Sequence, residues 1–177
     1  YLYEGMTRIA ESNAPLFRTG MNSIASVDVE VPKNASGVLY CVGGTSGGFS
    51  VYMDQGYLYA EYMSTLLYRY IAKSSAPLTA GNAKIEIKLQ FETKPVIAPA
   101  NLTMSVNGTV MASMIVEKSI RVAFDASETF DVGMDLGSPV SLLYQARSPF
   151  KFSGKINQLH VKYINGTSSA SAIAVVI

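Results

Sequence analysis

Side chains that carry chemistry are scarce in this chain. Its 177 residues hold one cysteine, one histidine and no tryptophan. A single cysteine, Cys41, excludes an intrachain disulfide, and with it a disulfide scaffold. It sits in the apolar run Val38-Leu-Tyr-Cys-Val, where free Cys behaves as a small hydrophobe. His160, the only histidine, also lies in a strand pattern, so a Cys–His nucleophile would need the two to meet in space. Charge is scarce as well, at 15% of residues, with 14 Lys plus Arg against 13 Asp plus Glu. A formal net charge of +1 with scattered basic residues excludes the field that draws nucleic acid or acidic lipid. Long apolar runs are missing too. The last residues, Ala172–Ile177, are far short of the roughly 20 that cross a bilayer as a helix, and read as a final strand or a docking tail.

What is abundant is β pattern. Residues 47–63, Gly-Gly-Phe-Ser-Val-Tyr-Met-Asp-Gln-Gly-Tyr-Leu-Tyr-Ala-Glu-Tyr-Met, read as two antiparallel strands joined at Asp54-Gln55-Gly56. Phe49, Val51 and Met53 share one face and Ser50 and Tyr52 the other; Tyr57, Tyr59 and Glu61 alternate with Leu58, Ala60 and Tyr62. The hairpin thus has one apolar and one tyrosine-rich face. Ser23–Val31 reads as a strand with Ile24, Val27, Val29 and Val31 inward and a slip at Ala25. Gly37–Val42 suggests a strand buried on both faces. Gly43–Gly48 reads as a flexible turn, lacking the Gly-Lys-Ser/Thr ending of a phosphate loop. Leu66–Ile71 and Ser119–Phe124 are expected as short strands, and Ala83–Phe91 alternates cleanly. Asn107-Gly108 marks a hairpin between Leu102–Val106 and Val110–Ile115. Phe130–Met134 is expected as a short strand in a structured loop, and Phe150–Tyr163 contains the last long one. No stretch keeps helical periodicity over several turns. The expectation is an all-β sandwich or barrel in one domain, residues 23–177, preceded at 1–22 by a former interdomain connector plus a first strand region. The opening Tyr1-Leu-Tyr, without initiator Met or leader, is expected in a piece of a longer protein or a processed form.

Two groups of residues are candidate sites. The first is the tyrosine set at 52, 57, 59, 62, 68 and 70, with Tyr52, Tyr57 and Tyr59 as the ligand-binding candidates. These rings can stack on sugars or pack beneath another domain, because Tyr is apolar with one polar tip. The second is acidic: Glu128, Asp131 and Asp135. A retaining glycosidase needs two carboxyls about 5–5.5 Å apart, whereas four extended residues span about 13 Å. The pair Asp131 and Asp135 is therefore out of reach unless the strand bends. Calcium at these two aspartates is the milder reading, and it needs about six to eight oxygens. Hydrogen bonds to loop amides are the plainest. Asn34-Ala-Ser, Asn101-Leu-Thr, Asn107-Gly-Thr and Asn165-Gly-Thr fit the glycosylation sequon, which an Asn- and Ser-rich β protein also produces by chance.

Several strings together resemble a known family. They are Tyr3-Glu-Gly-Met-Thr-Arg-Ile, Ser12-Asn-Ala-Pro, Ser23–Val31, Gly37-Val-Leu, Gly43-Gly and Gly48-Phe-Ser-Val-Tyr, followed by Phe152-Ser-Gly-Lys-Ile. The most specific is Thr129-Phe-Asp-Val-Gly-Met-Asp-Leu-Gly-Ser-Pro-Val. In this order they resemble the segment that follows the catalytic domain in bacterial arylsulfatases. The resemblance implies a concanavalin A-like, laminin-G-like jelly-roll sandwich of two antiparallel sheets. It implies a non-catalytic accessory domain that packs on a sulfatase catalytic domain of the same polypeptide and shapes substrate access, in a periplasmic or extracellular protein. The family's formylglycine motif, Cys-X-Pro-X-Arg or Ser-X-Pro-X-Arg, is not matched at Cys41, which is followed by Val-Gly-Gly-Thr. The alternative function is a lectin-like module binding a carbohydrate such as a polysaccharide through its tyrosine face. A third, an independent hydrolase, requires turnover by this chain alone.

Overall fold

The computed structural model describes residues 1–93 and 97–164. Two antiparallel sheets pack face to face. One has six strands in the spatial order β1 (Ile9–Ala10), β10 (Thr129–Val132), β3 (Gly37–Gly44), β4 (Gly47–Asp54), β5 (Tyr57–Thr65) and β6 (Tyr68–Lys73). The other has five, ordered β11 (Lys155–Tyr163), β2 (Ser23–Val31), β7 (Gly81–Phe91), β8 (Ala100–Val106) and β9 (Thr109–Val116). The chain changes sheet after β1, β2, β6, β9 and β10, which makes a jelly-roll sandwich of the expected all-β class. Short 3-10 turns at Glu11–Asn13 and Gln145–Arg147 are the only helical pieces among the described residues.

Alternation along each strand builds the core. Tyr40, Phe49, Val51, Met53, Leu58, Ala60, Tyr62 and Phe130 project from the six-stranded sheet onto Ala25, Val27, Val29, Ile85, Ile87, Leu89 and Leu102 of the other. β2 alternates without a slip, so Ala25 faces the core and Ile24 is half-buried outward, contrary to expectation. Ala25 lies between Val161 and Ile87, whose bulk fills the layer around it.

Four further expectations change for physical reasons. Gly43–Gly48 is not a flexible turn: Gly43 pairs with Gly48 and Gly44 with Gly47, leaving a two-residue turn. The glycines admit a chain that passes above them; a Cβ on Gly48 would lie 2.8 Å from a Val140 methyl. Leu66 and Leu67 form an exposed turn, and β6 starts only at Tyr68. Ser119–Phe124 is irregular; Ile120 donates its N–H to the Tyr62 hydroxyl, and its carbonyl accepts the Thr19 N–H. Residues 1–22, expected as an interdomain connector plus a first strand region, are woven into the sandwich. Leu2 bridges Leu159, β1 extends the six-stranded sheet, and Phe17 packs on Phe49 with ring centroids 5.0 Å apart. The apolar tail at 172–177 and the Asn165 sequon lie outside the described residues.

Phe49 is fully buried among Phe17, Tyr40 and Tyr62. Phe49→Ala is expected to cost about 3–5 kcal/mol. Urea unfolding checks this; an unchanged midpoint contradicts the packing described.

Candidate functional site

The outer face of the six-stranded sheet is divided between a covered half and an open half. The segment following β10 turns back over β3 and β4. Val140, Tyr144 and Phe150 pack there on Val38, Cys41 and Tyr52 as a second apolar cluster, outside the sandwich core. Tyr144 meets Tyr52 edge-on at 5.0 Å and stacks on Phe150 at 5.2 Å. This is why β3 is buried on both faces. It also places Tyr52, a ligand-binding candidate from the sequence, entirely under the roof, where burial pushes its phenol well above the usual tyrosine range. Arg147 closes the roof with two 2.8 Å hydrogen bonds to the Asp54 carboxylate and lies 4.2 Å above the Phe150 ring.

Asp131 and Asp135 hold the roof in place. β10 ends at Val132, and Gly133 turns the chain with φ +89°, so the two aspartates come together rather than lying along one strand. Oδ1 of Asp131 accepts the Arg8 N–H at 2.6 Å and Oδ2 accepts that of Leu136 at 3.2 Å. Oδ2 of Asp135 accepts the Val140 N–H at 3.0 Å and the Tyr144 hydroxyl at 2.7 Å. Carboxylates binding loop amides is the plainest of the sequence readings. Burial holds the Asp135 carboxyl above the usual range and drives the Tyr144 phenol far up.

The Cys41 thiol and the two carboxylates lie within 4.8 Å of one another. The set does not suit calcium, a hard ion that takes about six to eight oxygens. Here one donor is a thiol that burial pushes up, and three of the four carboxylate oxygens already accept hydrogen bonds. Cys41 and His160 do not meet. His160 faces outward from the five-stranded sheet and stacks on Tyr1 at 4.7 Å.

The open half lies over β5 and β6. Tyr52, Tyr59 and Lys73 are cross-strand neighbours in one row, and Tyr52 and Tyr59 stack in parallel planes with centroids 5.0 Å apart. Tyr57 and Tyr59 remain half-exposed. The Lys73 ammonium lies 4.1 Å from the Tyr57 centroid and 5.5 Å from that of Tyr59. An exposed cation–π contact of this kind is worth about 0.5–1 kcal/mol. In the next row Glu61 stands opposite Ile71, and Arg69, one row beyond, covers the fully buried carboxylate, donating Nε–H to Oε1 at 2.9 Å and pairing through Nη2 with the same oxygen. Oε2 of Glu61 has no hydrogen-bond partner among the described residues.

Of the other tyrosines read from the sequence, Tyr62 and Tyr70 lie on the core side and Tyr68 lies beside Lys118. Sequence reasoning missed Arg69, Lys73 and Arg147. For the two β6 residues the alternation Arg69, Ile71, Lys73 was the available signal, cut off because the expected strand ended at Ile71.

No protein-family model matches this chain, and comparison with curated proteins finds no match. Solved structures do match. CBM40 of the Ruminococcus gnavus IT-sialidase, in a complex with α2,3-sialyllactose, aligns at TM-score 0.59 and 17% identity, over 81% of this chain and 76% of that one. Domains LG4-5 of the mouse laminin α1 chain align at 0.54 and 12%, over 98% and 42%. The SAP-like pentraxin of Limulus polyphemus aligns at 0.52 and 11%, over 80% and 63%. The fold is thus the concanavalin A-like, laminin-G-like β-sandwich.

The hydrogen bonds from Arg147 hold the Asp54 carboxyl below the usual range in the folded chain. A lowered pKa gives stability that is present above the unfolded value and lost as pH falls through the folded one. In Arg147→Ala, Asp54 is expected to titrate at higher pH by carboxyl NMR, and the acid side of the stability profile should flatten. An unchanged Asp54 titration contradicts the pairing.

Proposed function

We propose that this chain is a non-catalytic, lectin-like binding domain that holds a carbohydrate against the open half of its six-stranded sheet. The observation that carries this reading is the half-exposed shelf of Tyr57 and Tyr59, backed by the buried ring of Tyr52 and edged by Lys73. Aromatic faces suit the C–H side of a sugar ring, and hydroxyl and ammonium tips at the rim suit its polar groups. The R. gnavus CBM40, a sandwich of this class, was solved with a sialylated sugar, which supports the reading by analogy of fold. Catalysis has no evident place in it. The buried aspartates are engaged with their own loop, and no metal is required.

A second reading is an accessory domain packed on a sulfatase catalytic domain of the same polypeptide. The arylsulfatase-like strings support it, as does an apolar surface at the β5–β6 turn. Leu67 is 85% exposed and Leu66 64%, beside a hollow of about 250 Å³ whose lining includes Tyr68, Ile97 and Val122. Exposed apolar patches of this kind mark surfaces that meet a partner. This surface is separate from the tyrosine shelf, so one domain can serve both roles. A formylglycine motif in the gene upstream of Tyr1 supports the second reading; a reading frame that encodes no sulfatase domain removes it.

Calorimetry across a panel of oligosaccharides tests the first. Binding is expected, and Tyr59→Ala should weaken it about tenfold. Equal binding by the variant contradicts the site, and no binding across neutral and acidic sugars contradicts the function.

A further inference from the structure

The charges around the shelf are unequally committed. On the open half and its border stand Asp54, Glu61, Arg69, Lys73 and Arg147. Arg147 is bound to Asp54 through both carboxylate oxygens, and Arg69 is bound to Glu61. Lys73 makes no ion pair with any described residue, and its ammonium rests on Tyr57 instead. It projects from an exposed position on β6, the edge strand, in the same row as Tyr59. One uncommitted cation therefore stands at the rim of the one aromatic shelf on this face.

That position makes the charge of the ligand matter. A sugar that lies on Tyr57 has to displace the Lys73 ammonium from the ring. A neutral sugar takes away the cation–π contact and returns a hydrogen bond between neutral and charged groups at most. A sugar carrying an acid group draws the ammonium off the ring into a charge-assisted hydrogen bond, which is the stronger contact. The flexible four-carbon stem of lysine allows the swing at low cost. Arg69 and Arg147 add no rival carboxylate, since each already covers the one beside it.

We propose that the Tyr57–Tyr59 shelf takes an anionic sugar, carboxylated or sulfated, whose acid group bonds to Lys73 Nζ while its ring rests on the tyrosines. This rests on the carbohydrate-binding reading above and adds the ligand's charge class and the residue that selects it.

The test is calorimetry of the full chain with three matched tetrasaccharides at physiological salt. They are a chondroitin sulfate tetrasaccharide, its desulfated form, and a desulfated, carboxyl-reduced form that is neutral. Wild type, Lys73→Ala and Tyr59→Ala are compared. At least one acidic member should bind about tenfold more tightly than the neutral one, and Lys73→Ala should erase that difference by weakening the acidic ligand alone. The desulfated member separates carboxylate from sulfate recognition. Equal affinity for all three, or a Lys73→Ala variant that keeps the preference, overturns the inference. If Tyr59→Ala still lowers that equal affinity, the carbohydrate reading stands without it. If none of the three binds, the inference fails, and the oligosaccharide panel alone decides the carbohydrate reading. Lys73 is exposed and outside both apolar clusters, so its loss should lower the thermal midpoint by no more than about 2–4 °C, the share of the lost cation–π contact.

Discussion

What the six-stranded sheet can do depends on the short hydrogen bonds that tie the segment after β10 to its outer face. Asp135 collects the Val140 amide and the Tyr144 hydroxyl, and Tyr144 in turn reaches Ser50 on β4 at 3.0 Å. With that loop fixed, Val38, Cys41 and Tyr52 become interior. The same roof that buries half of the face limits what remains to the β5–β6 side. A buried polar network is costly when half satisfied, and here one oxygen, Oδ1 of Asp135, has no partner among the described residues. The concentration of acceptor work in two adjacent aspartates explains why the turn at Gly133 is needed. Without it they would point along one strand instead of into one loop.

The division of the face gives the tyrosines different roles. Tyr62 serves the core, giving its hydroxyl to the Phe17 carbonyl at 2.9 Å. Tyr52 serves the roof. Tyr57 and Tyr59 keep an open side and stand beside the uncommitted charge at Lys73. One strand-alternating sequence thus supplies core, support and contact surface within a single hairpin. In the proposed function, Tyr52 acts as the backing that keeps the Tyr59 ring flat, a positioning role rather than a contact.

Local pattern made much of this legible. The hairpin at 47–63, the Asn107-Gly108 turn and the clean alternation of Ala83–Phe91 each depend on neighbours within a few residues, and each appears as read. Harder features depend on distant chain. Nothing near Tyr52 says that Tyr144, 92 positions later, lies over it, so its candidacy as a ligand contact could not be judged from alternation. The connector reading of 1–22 missed Phe17 for the same reason, since its partners are Tyr40 and Phe49 across the sheet. Asp131 and Asp135 were separated on paper by assuming an extended strand, and Gly133, whose positive φ bends it, was visible in the sequence but not weighed. Lys73 was passed over because the expected strand, Leu66–Ile71, ended short of it, whereas β6 runs to Lys73.

The central claim is that the open half of this face, and no other surface, receives an acidic sugar. Backbone amide NMR during titration with the chondroitin sulfate tetrasaccharide locates the contact directly. The account predicts shifts concentrated at Tyr57, Tyr59 and Lys73, with the five-stranded sheet silent. Shifts centred on the Leu66-Leu67 turn or on the outer face around His160, with 57–59 and 73 unmoved, would contradict it.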